Sequence, residues 1–143
     1  MTHERQARLY FASGYSCEQA VFGAFADVLG LSPAAAKLKA PSRKERGTVC
    51  GAYKAGVLVI RTLYSPQRGN RAHGRKKEQE GANQRKGEEQ ALAQFKRLFM
   101  VYFVTTDCEA ISTSREKGWS GADDVVVITA RLVDRVLDGS TQP

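Results

Sequence analysis

Residues 49–64 hold the longest sustained apolar segment of the chain, Val49-Cys50-Gly51-Ala52-Tyr53-Lys54-Ala55-Gly56-Val57-Leu58-Val59-Ile60 and on to Leu63 and Tyr64, with a cysteine at its head. Gly51 and Ala55 are spaced i,i+4, and so are Ala52 and Gly56. On a helix this spacing makes strips poor in side chain, against which other helices approach closely, while Val57, Leu58, Ile60 and Leu63 supply bulk further along. Val57-Leu58-Val59-Ile60 alone would also suit a buried strand. The pattern runs on to Tyr64, however, which is longer than most strands. The segment is therefore expected to be the central helix of an all-α fold, a compact bundle of about five to six helices.

The flanking sequence supports that class. A first helix is expected from about His3 to Ser13, with Ala7, Tyr10 and Phe11 on one face and Gly14 as its stop. Ser16 with Gln19 three residues on forms a capping-box pattern, which puts Cys17 at the first position of a second helix. Ala20, Val21, Ala24, Phe25 and Val28 give that helix one buried face, and Gly30 closes it. Ser32-Pro33 opens a short helix to about Lys39, serine capping and proline leading.

Residues 66–87 show no apolar periodicity and carry Gly69, Gly74, Gly81 and Gly87, so a flexible insertion is expected, or else a weakly formed charged helix near 76–84. Beyond it Ala91, Leu92, Phe95, Leu98, Phe99 and Tyr102 form a wide apolar face. Asp107 reads as the cap of a short helical turn holding Cys108, and Trp119 as packed on the bundle. A last helix is expected from about Ala122 to Leu137, with Gly139 as its stop. His3 and His73 fall in polar segments expected to be exposed.

At 143 residues the chain is expected to be one helical domain, 1–143, large enough for a core without disulfide staples. Its apolar content of 42% and charged content of 26% are ordinary for a soluble protein. No apolar run approaches the ~20 residues of a membrane span, and Met1-Thr2-His3-Glu4-Arg5 does not resemble a secretory leader, so the expected location is cytoplasmic. The net charge of +7 is concentrated: Arg68, Arg71, Arg75, Lys76, Lys77, Arg85 and Lys86 face only Glu78 and Glu80 in the insertion. Lys37, Lys39, Arg43, Lys44 and Arg46 face only Glu45. Without interleaved aromatics or a binding motif, these stretches read as solvated surface rather than a nucleic-acid interface.

The three cysteines lie far apart and form no CxxC, which argues against a thioredoxin-type dithiol, a zinc ribbon and attached haem. Each reads as standing at the start of a helix: Cys17 after Ser16, Cys50 before Gly51, Cys108 after Asp107. Helix N-termini present unpaired N–H groups and the positive end of the macrodipole, which favour thiolate over thiol. Thiolate character is what nucleophilic, redox and metal-ligating cysteines require. The rival reading, three structural cysteines, rests on how often cysteine is simply buried.

Gly14-Tyr15-Ser16-Cys17-Glu18-Gln19-Ala20, then Cys50-Gly51-Ala52, then Cys108 after an aromatic-rich helix, resembles a family of redox-active proteins named for its C…GCAxxG…C…C pattern. The resemblance covers most of the chain, from Ala7 to Leu137, apart from the basic insertion. It implies a small helical protein whose cysteines serve redox chemistry or hold a metal ion or iron–sulfur cluster. On this chain that implies Cys17, Cys50 and Cys108 as reactive or ligating thiols, with Gly51 and Ala52 against any bound group. Three departures stand out. The glycine expected five residues after the second cysteine is Ala55, with Gly56 one place later; Pro41-Ser42-Arg43-Lys44-Glu45-Arg46 replaces a glycine-rich run; and no fourth cysteine exists. Asp123 or Asp124 stands near its place, and the Asp123 carboxylate would be a fourth metal ligand or else a helix cap.

Two functions are thus expected in order: a thiol-based redox or metal-binding protein acting with an unidentified redox partner, then a non-catalytic helical interaction module with structural cysteines. The sequence leaves a homo-oligomer open.

Overall fold

The computed structural model describes residues 2–40, 50–64, 75–103 and 122–138, with side chains in the last two stretches from Lys86 and from Val125. Among them are seven helices: α1 (His3–Ala12), α2 (Cys17–Ala24), α3 (Ala26–Leu29), α4 (Pro33–Lys39), α5 (Gly51–Leu63), α6 (Arg75–Phe103) and α7 (Ala122–Leu137). No strand occurs among the described residues. The all-α expectation holds, with one helix more than the sequence suggested. None of the described helices is long and apolar enough to cross a membrane.

Local chemistry sets the helix ends. Thr2 caps α1, its side chain accepting from the Arg5 amide at 3.2 Å. Gly14 leaves α1 at φ +98°, and the Tyr15 amide returns to the Tyr10 carbonyl at 3.1 Å, a Schellman closure that favours glycine. Gly30, at φ +69°, closes α3 in the same way through Leu31 N–H to Ala26 carbonyl. Ser32 caps α4 at the Ala35 amide, with Pro33 at its first position.

The second helix differs from expectation. It breaks at Phe25, whose backbone (φ −100°, ψ 13°) ends α2 and begins α3. The break rotates the face downstream, so Leu29 is buried and Val28 is exposed. The helix α6 takes in residues 76–84, the part of the basic stretch open to either reading. Asp107, Cys108, Trp119 and Gly139 lie outside the described residues.

Helices α2, α5 and α7 touch one another pairwise and share the centre; α1 packs on α2 and α7, α4 on α2, and α6 on α5 and α7. The small-residue strips of α5 work as the spacing implied. A Cβ at Gly56 would collide with the Phe95 ring of α6 and lie 3.1 Å from Val133 Cγ2 of α7. Phe95 and Phe99 are fully buried, and Tyr53 stacks on Phe95 at 5.3 Å between ring centroids and tilts against Phe99 at 4.9 Å. Each buried phenylalanine is worth ~1.5–3 kcal/mol, so this aromatic row does much to join α6 to α5. On α7 Val126, Thr129, Ala130 and Val133, which recur at helical spacing, are fully buried. Thr129 satisfies its hydroxyl within the helix, donating to the Val125 carbonyl at 2.6 Å.

Candidate functional site

The first turn of α2 is held rigidly. The Gln19 amide donates to Ser16 Oγ at 3.2 Å and the Ser16 amide donates to Gln19 Oε1 at 3.1 Å, completing the reciprocal capping box. Cys17 is the first helical residue behind this cap, half-buried and packed against the core. Its neighbour Glu18 is 3% exposed, an uncommon position for a carboxylate.

Cys50 caps α5: its carbonyl accepts from the Lys54 amide at 3.0 Å, and its side chain makes no capping bond. It is 5% exposed and belongs to the hydrophobic core. Cys50 thus stands one residue ahead of the first turn rather than within it. Cys17 and Cys50 both carry thiols.

Glu18 joins the two starts. A Cβ on Gly51 would collide with the Glu18 carboxyl carbon and lie 2.8 Å from its Cγ. The residue after Cys17 is therefore in contact with the residue after Cys50, and the opening turns of α2 and α5 adjoin. Ala52, fully buried, continues the small-residue floor. Sequence reasoning missed Glu18. The available signal was Gly51, since a glycine in a first turn often marks a close approach by another group.

Cys108 and the side chain of Asp123 lie outside the described residues. Among the described residues no three histidine, cysteine, aspartate or glutamate side chains form a metal-holding group. Two thiols on adjoining turns do not by themselves make the closed four-ligand set of a structural ion site. A metal ion or iron–sulfur cluster would have to draw on groups beyond these two thiols, such as Cys108 and Asp123.

A family model described as "Putative redox-active protein (C_GCAxxG_C_C)" matches residues 15–134, from just ahead of Cys17 to near the end of α7. The chain belongs to this C_GCAxxG_C_C family. No curated protein and no solved structure matches it. The matched range contains all three cysteines of the chain, where the name of the C_GCAxxG_C_C family counts four, and two of the three stand on the adjoining turns.

Proposed function

We propose that the protein is a thiol-based redox protein in which Cys17 and Cys50 interconvert between a dithiol and a disulfide, with Cys108 as a third thiol able to join the exchange. The observation that carries this reading is the Glu18–Gly51 contact, which sets the two cysteine-bearing helix starts side by side. Membership of a family described as redox-active supports it.

The two thiols suit different parts in such an exchange. Cys17 is partly open to solvent at the dipole-positive end of α2, where thiolate is favoured. Cys50 is buried and suits the resolving step. The oxidant is a disulfide on a partner molecule. Cys17 thiolate attacks one partner sulfur, the partner S–S bond breaks, and the leaving sulfur takes up a proton. Cys50 thiolate then attacks the Cys17 sulfur of the mixed disulfide, releasing the second partner thiol. Two thiols are oxidised, one partner disulfide is reduced, and two protons pass from one pair to the other. Reduced thiols of this kind fit a cytoplasmic setting.

A Cys108→Ser variant titrated against mixtures of reduced and oxidised dithiothreitol, with alkylated thiols counted by mass, tests the reading. The expected result is a single two-electron couple in which Cys17 and Cys50 lose alkylation together. If both remain alkylatable across the whole range, the proposal fails.

A further inference from the structure

Away from the cysteines, His3 makes an arrangement that its polar sequence surroundings did not announce. Its ring is not exposed as expected: the side chain is 20% accessible and stacks on the buried Phe25 ring at 4.3 Å between centroids. Nδ1 lies 2.6 Å from Asp134 Oδ1 of α7, and Nε2 lies 3.1 Å from Asp27 Oδ1 of α3. Ionised carboxylates only accept hydrogen bonds, so both contacts are hydrogen bonds only when both ring nitrogens carry protons. A neutral ring has one N–H and turns a bare nitrogen toward one of the two carboxylates.

We propose that His3 is a pH-operated latch: as imidazolium it fastens the start of α1 to both α3 and α7, and on losing a proton it releases one of them. Histidine is the side chain whose ordinary range falls between about pH 5 and 8. Asp27 is the arm to be released, because its side chain is 70% exposed and can turn into water, whereas Asp134 is 32% exposed.

Further charged groups lie around the Asp134 contact. Glu4 of α1 and Asp138 just beyond α7 add negative charge around Asp134, and Arg131 of α7 is engaged with Glu4 at 3.2 Å. From the α2–α3 junction the ring meets the uncharged Phe25 in addition to the Asp27 carboxylate of α3. Burial pushes the Asp134 carboxyl above its usual 3.8, and the bond from His3 pulls it back. His3 and Asp27 also line a surface cavity of about 340 Å³ with Gln6, Tyr10, Leu31 and Pro33, so release alters one wall of that cavity.

The test is amide hydrogen exchange of α1 in the full chain at pH 6 and pH 8.5, corrected for intrinsic rates, in wild type, His3→Gln, Asp27→Asn and His73→Gln. One charge-assisted hydrogen bond is lost on release, so α1 amides of the wild type are expected to lose roughly tenfold protection at pH 8.5. His73→Gln is expected to keep this loss; His3→Gln and Asp27→Asn are expected to abolish it. Should His3→Gln fold poorly, Asp27→Asn at its exposed site carries the comparison. Equal α1 protection at both pH values in the wild type, or a loss of protection that persists in Asp27→Asn, overturns the latch.

Discussion

At the scale of single residues, the most informative position is Gly51. Glycine to alanine inside a helix normally stabilises by up to ~1 kcal/mol. Here the added methyl meets the buried Glu18 side chain, so Gly51→Ala is expected to destabilise by ~1–3 kcal/mol in denaturant unfolding, opposite in sign to propensity. Glu18→Ala empties the space, and a double-mutant cycle between the two positions is expected to show coupling of ~0.5–3 kcal/mol. Additive effects would mean that the two helix starts do not press on one another. Tyr53 gives a pH prediction. Burial raises its phenol above the ordinary 10.0, with Arg61 pulling the other way, so the fold favours the neutral form. That contribution is complete below the ordinary value and disappears as pH rises through the raised one. Tyr53→Phe is expected to show a shallower loss of thermal midpoint above about pH 10 than the wild type.

At the scale of elements, what the sequence disclosed depended on whether the signal was local. Ser16 and Gln19 announced the capping box, Ser32-Pro33 announced α4, and Gly14 and Gly30 announced two helix ends, because each rests on bonds within a few residues. Removing such a bond has a predictable cost: Ser16→Ala is expected to destabilise by ~1 kcal/mol and to loosen the turn that holds Cys17. The break at Phe25 was not legible. Ala20, Val21, Ala24 and Val28 keep helical spacing across it, and what meets Phe25 there is tertiary: its ring is fully buried and stacks on His3 of the preceding helix α1. His3 itself was misjudged as exposed for the same reason, since its partners are 24 and 131 residues away.

At the scale of the whole molecule, the small residues of α5 determine how closely three helices meet. Gly51 admits Glu18 of α2, and Gly56 admits Phe95 of α6 beside Val133 of α7. Gly56→Ala is expected to cost ~1–3 kcal/mol without affecting thiol chemistry, whereas Gly51→Ala is expected to disturb both. The residues beside Cys17 and Cys50 pointed to two helix starts, and the structure has Cys17 opening α2 and Cys50 capping α5, but spacing in sequence said nothing of which starts adjoin. That came from the Glu18–Gly51 contact, a feature of packing that no local pattern encodes. The most direct test is therefore peptide mapping of the wild-type protein after mild oxidation with a disulfide reagent, on chains that run singly in non-reducing denaturing gels. A linked pair joining the peptides of Cys17 and Cys50 is predicted. Recovery of both as unlinked thiols, while the protein remains folded, would contradict the account.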